Sequence, residues 1–342
     1  MHAPGNANHR LILVIAAGCL LLQLMIGLPS GVLPPHAARA TESGTFTGVF
    51  VLPDDGPAPF IDELEAANES ILLYIYLLSD EEAIGALLRA HYRGVEVRVM
   101  LDPTPYGGAG TELEVYRQLT SAGIDVRWTS GAFRFAHVKM LIVDRQAVLI
   151  MNLNWTEAAF SSNREFAVVT NDSDRVAQAM AIFENDWHGV PITPAGPLVV
   201  SPETSRADLL GFIATAERTI DIYAEVMTDP EVMDALTEAE SRGVRVRLVM
   251  SQAADESLWH EEPGFLVRQG IHVRIMNRIY IHAKALIVDG DTAWIGSQNY
   301  TANSLDNNRE VGTFVNDPGS LARIIAAFES DFAESKPLAP LS

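Results

Sequence analysis

The sequence is poor in cysteine and lysine and carries no surplus of positive charge. Its one cysteine, Cys19, lies inside an apolar amino-terminal run, so the rest of the chain holds no disulfide and depends on packing alone. Lysine occurs three times in 342 residues, as Lys139, Lys284 and Lys336. Against 24 Lys+Arg stand 44 Asp+Glu, a net charge of −20. Binding to nucleic acid draws its sequence-independent affinity from Lys and Arg on phosphates, so this balance speaks against a nucleic-acid partner. It leaves room for a local cationic pocket around a single phosphate. There is no H-E-x-x-H and no other cluster with metal-ligand spacing, so neither a metal nor another cofactor is expected. No segment points to an obligate protein partner.

What the chain does have is enough apolar residue, 48%, to fill two cores, at a length that suits two domains of moderate size. At the amino terminus His2, His9 and Arg10 precede an apolar run from Leu11 to Leu28, then Ala38-Arg39-Ala40 before Thr41. That is the small-x-small pattern of a signal-peptidase site, and it predicts residues 1–40 as a signal peptide on an exported, periplasmic or secreted protein. The run of 18 residues reaches the lower limit for a spanning helix, so an anchor over residues 11–28 is the alternative.

The remainder repeats itself. Residues 45–190 form a first domain, 191–197 a Pro/Gly linker and 198–336 a second domain. Each half opens with an apolar strand ending in proline and runs through a second strand, Ile71–Leu77 or Ile220–Met227. Ser79-Asp80 and Thr228-Asp229 follow as helix N-caps, and Arg93-Gly94 and Arg242-Gly243 as helix stops. Strands alternating with helices predict α/β halves with mixed, largely parallel sheets flanked by helices, related by a pseudo-twofold.

Agreement between the halves is tightest around two histidines. The first half reads His137-Val-Lys139-Met-Leu-Ile-Val-Asp144 and the second His282-Ala-Lys284-Ala-Leu-Ile-Val-Asp289. An offset of 145 residues holds for these positions, for Asn154 and Asn299, and for the Asn-Arg-Glu triplets ending at Glu165 and Glu310. Residues i and i+2 of a strand share a face, so each His and Lys project together. An imidazole beside an ammonium suits attack on a phosphate: the ring can be nucleophile or proton donor, and the lysine offsets charge on the phosphoryl oxygens. Asparagines add donors to those oxygens, and a glutamate can fix the imidazole tautomer. Two facing halves bring two histidines to one phosphorus, as a double displacement requires. From the residues alone, either histidine suits either role.

These motifs resemble those of the phospholipase D superfamily, H-x-K-x4-D followed by G-S-x-N and a later glutamate. The second half matches in full at His282, Lys284, Asp289, Gly296, Ser297, Asn299 and Glu310; the first has Met151-Asn152 where Gly-Ser is usual. The resemblance implies catalysis through a phosphohistidine, with His137 attacking and His282 protonating the leaving alcohol. It implies Lys139, Lys284, Asn154, Asn299 and Ser297 around the phosphate, and Glu165 and Glu310 orienting the histidines. Asp144 and Asp289 complete the catalytic motif as supports. The expected activity is hydrolysis of phospholipid headgroup esters at a membrane surface or vesicle, with transfer to another alcohol as a companion reaction. Alternatives are a nuclease-type phosphodiesterase, a cardiolipin-synthase-like transferase and a non-catalytic phosphoester-binding module. Trp155 and Tyr300, each one residue after a motif asparagine, either line the cleft or pack behind it.

Overall fold

The structure is a computed structural model that describes residues 46–106, 109–193, 195–251 and 261–338. The predicted signal peptide, Cys19 and the Gly107-Gly108 pair lie outside the described residues. In chain order the first half comprises β1 (Phe46–Leu52), α1 (Ala58–Ala66), β2 (Ser70–Ile75), α2 (Glu81–Tyr92), β3 (Glu96–Leu101), α3 (Ala109–Ser121), β4 (Asp125–Trp128), β5 (Lys139–Val143), β6 (Ala147–Met151), α4 (Glu157–Ser161), β7 (Asn163–Thr170) and α5 (Ser173–His188). The second runs β8 (Leu198–Ser201), α6 (Ser205–Ala214), β9 (Thr219–Tyr223), α7 (Pro230–Ser241), β10 (Arg245–Ser251), α8 (Glu261–Arg268), β11 (His272–Met276), β12 (Tyr280–Ile281), β13 (Ala285–Val288), β14 (Thr292–Gly296), α9 (Ala302–Asp306), β15 (Glu310–Val315), α10 (Pro318–Glu334) and β16 (Lys336–Pro337). Among the described residues no helix is long and apolar enough to cross a membrane.

Local chemistry explains the element boundaries. Asp80 caps α2 by accepting from Ala83 N, and Asp229 caps α7 by accepting from Val232 N, with Pro230 in the first turn. Every residue of β2 is buried, as befits a central strand covered on both faces. The first sheet runs β1-β7-β6-β5-β2-β3-β4 and the second β16-β11-β10-β9-β13-β14-β15-β8.

Both sheets are mixed, but the parallel share is smaller than the sequence predicts. Within each half only β2-β3-β4 and β9-β10-β11 pair in parallel; β5, β6, β7 and β1, and their counterparts β13, β14, β15 and β8, are antiparallel. The reason is connection length. A parallel pair needs a crossover such as α2 or α3, whereas β5 and β6 are joined by a three-residue turn, Asp144-Arg145-Gln146.

The halves interlock along the segments that lead into each motif. β12, just before His282, pairs in parallel with the start of β7, Tyr280 opposite Asn163 and Ile281 opposite Arg164. Reciprocally, Arg309 N donates to Phe135 O at 2.9 Å, just before His137. Arg164 reaches across to Asp331 on α10 with Nε 2.6 Å from the carboxylate, and Arg309 reaches Asp186 on α5 at 2.9 Å. Apolar side chains of both halves share cores: Val51 and Phe166 pack with Tyr223 and Phe328, and Met140 and Phe183 with Val200 and Val311.

Candidate active site

His137 and Lys139 sit at the start of β5, and His282 and Lys284 immediately before β13, so the interlock carries both pairs to one place. There the contacts cross between halves. Glu310 Oε2 hydrogen-bonds His137 Nδ1 at 2.8 Å, and Glu165 Oε1 lies 2.6 Å from His282 Nδ1. Both glutamates are fully buried, whereas the histidine side chains keep 13% and 12% exposure, enough to reach a cleft. A carboxylate on Nδ1 fixes the tautomer that carries a proton there and leaves Nε2 of His137 free as a nucleophile. Burial lowers the His137 pKa, the neighbouring lysines add to the shift, and Glu310 opposes it. The neutral ring that attack requires is the favoured form.

Both lysines are wholly buried and donate back to the carbonyl of their own histidine, Lys139 to His137 O at 2.9 Å and Lys284 to His282 O at 2.5 Å. Their surroundings then diverge. Lys139 Nζ lies 4.7 Å from the centroid of the Tyr76 ring, which also meets the His137 ring edge-on at 4.5 Å. Lys284 instead donates to Glu225 Oε2 at 2.6 Å. Burial brings the Lys139 pKa down to about 7, with Lys284 acting in the same direction and Glu310 against it.

Glu225 and Tyr76 occupy matching places. Ile71 and Ile220 pair with Val143 and Val288, and Leu78 and Met227 bridge to Trp155 and Tyr300, so Tyr76 and Glu225 stand at the same position of their halves. Neither was expected from sequence. The signal was a carboxylate just past β9, where the other half carries an aromatic just past β2. Glu225 Oε2 also accepts from Asn299 Nδ2 at 3.2 Å and lies 3.5 Å from His282 Nε2. Burial opposes its ionisation, but His282 and Lys284 prevail and hold its pKa well below the carboxylate range.

The asparagines Asn154 and Asn299 each keep a buried side-chain oxygen without a hydrogen-bond partner, a costly state inside a protein and a common one where a ligand completes the site. Asp144 and Asp289 lie apart from this group, at the far ends of their strands. Asp144 accepts from the backbone nitrogens of Asn68, Glu69 and Ser70, and Asp289 from those of Glu217, Arg218 and Thr219. Ser297 is fully buried and accepts from Val311 N at 3.1 Å. Asn152 does the same work in the first half, accepting from Phe166 N at 2.7 Å and reaching Lys284 O at 3.4 Å. The departure from Gly-Ser therefore keeps the bond that holds the strand bearing the glutamate. Glycine at 296 is demanded locally, because a Cβ there would come within 2.8 Å of Gly312 Cα and 2.6 Å of the Trp294 ring. Trp155 and Tyr300 are fully buried in the outer cores and pack behind the cleft.

The family described as "Cardiolipin synthase, PLD-like domain" matches residues 60–187 and 209–334, well over half of the chain. A cardiolipin synthase of Geobacillus thermodenitrificans is 23% identical over 341 residues, covering 85% of this chain and 67% of that protein. Cardiolipin synthase 2 of Bacillus cereus is 29% identical over 163 residues, 46% of this chain and only 32% of its own length. The human mitochondrial cardiolipin hydrolase is 30% identical over 184 residues, covering 54% of this chain and 64% of that protein. Among solved structures, phosphatidylserine synthase of Haemophilus influenzae superposes with a TM-score of 0.64 at 14% identity, over 88% of this chain and 91% of that one. Polyphosphate kinase of Porphyromonas gingivalis does so with 0.68 at 16%, over 92% and 52%. At such identities the structures speak to the fold alone. With the family matched once in each half, around a paired H-x-K set that converges on one cleft, this chain belongs to the phospholipase D superfamily, with two tandem phospholipase-D-like α/β domains.

Proposed function

We propose that this chain transfers phosphatidyl groups between alcohols through a phosphohistidine, in the manner of a cardiolipin synthase, with water as a competing acceptor. The crossed His–Glu contacts carry the reading: each half supplies a histidine whose Nδ1 is met by a glutamate of the other half, which makes two coupled rings and not two separate sites. The family match and the relatives named cardiolipin synthase favour transfer over the simple headgroup hydrolysis expected from sequence. Hydrolysis is the second reading, favoured by the likeness to a cardiolipin hydrolase.

In the first step His137 Nε2 attacks phosphorus, the bond from phosphorus to the leaving alcohol breaks, and His282, entering the step as an imidazolium, gives its Nε2 proton to that alcohol and keeps the one on Nδ1. In the second the acceptor alcohol gives its proton to His282 and attacks phosphorus, and the phosphorus–nitrogen bond to His137 breaks. Lys139 and the asparagines would hold the phosphoryl oxygens as charge builds on them.

The test is incubation of the purified protein with phosphatidylglycerol vesicles, followed by mass spectrometry of lipids and released glycerol. Cardiolipin plus free glycerol is the expected outcome, reduced by a factor of about 10⁴ or more in H137A and in H282A. Phosphatidate in place of cardiolipin would select the hydrolytic reading, and turnover surviving in both variants would sink the two-histidine mechanism. We further infer from the Leu11–Leu28 run that the enzyme acts on the exported side of a membrane, released or anchored. Fractionation of cells expressing the full chain checks this, and a purely cytosolic protein would refute it.

A further inference from the structure

We propose that Glu225 determines which phosphoesters the pocket accepts, admitting singly charged diesters and turning away doubly charged monoesters and inorganic phosphate. The inference rests on the reading of this cleft as a phosphoryl pocket.

The observation is where the carboxylate lies. Its Oε2 takes donors from Lys284 Nζ at 2.6 Å and Asn299 Nδ2 at 3.2 Å, and stands 3.5 Å from His282 Nε2. Those three groups would otherwise grip a phosphoryl oxygen, so the chain has placed one of its own anions in half of the phosphate cradle. The matching place in the first half holds the neutral Tyr76, whose ring lies against Lys139. The pocket is thus asymmetric: Lys139 faces incoming phosphate with its charge unspent, while the charge of Lys284 is already matched.

A charge inventory gives the consequence. With His282 protonated, as its role as proton donor requires, three positive charges on Lys139, Lys284 and His282 meet three negative ones on Glu165, Glu310 and Glu225. With a neutral residue at 225 the same set carries one positive charge in excess. A phosphodiester brings one negative charge and, at about pH 6.5, a monoester brings closer to two, because its second pKa is about 6. Each added charge meets the same fixed carboxylate at short range in a buried site, so the penalty on the monoester is about twice that on the diester. The phosphomonoester products of hydrolysis and free phosphate belong to the disfavoured class, so the same residue limits their inhibition. Tyr280, whose hydroxyl lies 3.4 Å from Glu225 Oε1 at the exposed edge of the cleft, offers the carboxylate a second partner when a diester enters.

The experiment compares the full chain with E225Q, an isosteric change that removes only the charge, at about pH 6.5, where Lys139 is still an ammonium and monoesters are already mostly dianions. Binding of inorganic phosphate, methyl phosphate and dimethyl phosphate is measured by calorimetry, and turnover of bis(4-nitrophenyl) phosphate is followed beside it. The expected result is about 10- to 100-fold tighter phosphate and methyl phosphate binding in E225Q, with a smaller gain for dimethyl phosphate. Equal gains for mono- and dianions, or none, would overturn the proposal. Should E225Q fail to fold, the wild type alone decides: it must bind dimethyl phosphate more tightly than methyl phosphate, and the reverse order overturns the idea. If the diester is not turned over but the binding order holds, the proposed reaction fails and the charge selection stands.

Discussion

Lys139 is held near the edge of losing its proton, since burial brings its pKa down to about 7. Below that value it is an ammonium that attracts phosphate; above it, a neutral amine that does not. In the proposed mechanism His137 acts in the opposite sense, for it must be neutral to attack and its pKa lies below the ordinary 6.5. The free enzyme should then show a bell-shaped kcat/KM, with an acid limb below 6.5 from His137 and an alkaline fall through about 7 from Lys139. In K139A the alkaline limb should vanish together with about 10²-fold of kcat/KM. A limb that persists unchanged in K139A would belong to another group. At this scale the sequence carried the His and Lys pairs, because a two-residue spacing on a strand fixes a common face. It could not carry Glu225 or Tyr76. They break the repeat instead of obeying it, and an acid at a strand end reads as solvated until the strand is seen to end inside the cleft.

The turns after β5 and β13 show what the motif aspartates do. The Asp144 and Asp289 backbones take positive φ values of 52° and 55°, and each carboxylate gathers three backbone N–H groups that open the neighbouring strand. Desolvation works against ionisation, but those donors prevail and keep both pKa values below the usual 3.8. The stabilisation is therefore present above the unfolded value and is lost as pH falls through the lower folded one. D289N should lose about 1–3 kcal/mol by urea unfolding at neutral pH, since charge-assisted bonds to three donors are broken or weakened. Its kcat/KM at a temperature well below the transition should stay within about tenfold of wild type, against the far larger loss expected of H282A. A collapse of turnover in a folded D289N would return the aspartate to the chemistry. Caps at Asp80 and Asp229 were legible because capping is local chemistry. Strand direction was not: alternating strands and helices suggested parallel pairing, and only the short connections after β5 and β13 reveal the antiparallel half of each sheet.

The duplication was plain from the constant 145-residue spacing, yet that spacing is silent on which glutamate serves which histidine, because within-half and between-half pairings satisfy it equally. What decides is the interlock of Asn163-Arg164 with β12 and of Arg309 with Phe135. Each glutamate follows an arginine that is buried to within a few per cent and tied to the other half, Arg164 to Asp331 and Arg309 to Asp186, while Leu52 O and Ser201 O hold each arginine to its own half. These arginines join the halves and aim the glutamates at once. Removing one would leave Asp331 or Asp186 as an uncompensated buried charge, so R164A and R309A should each cost about 3–5 kcal/mol. The exposed pair Arg278–Glu334 supplies the internal control, with side chains 59% and 45% accessible, and R278A should cost less than about 1 kcal/mol. Activity should separate them as well. Under conditions where R164A is still folded, the drift of Glu165 frees the His282 tautomer and lowers kcat/KM, while R278A retains it. Urea unfolding of the three variants settles the point: if R164A and R309A are no less stable than R278A, the crossing arginines are not what fastens one half to the other.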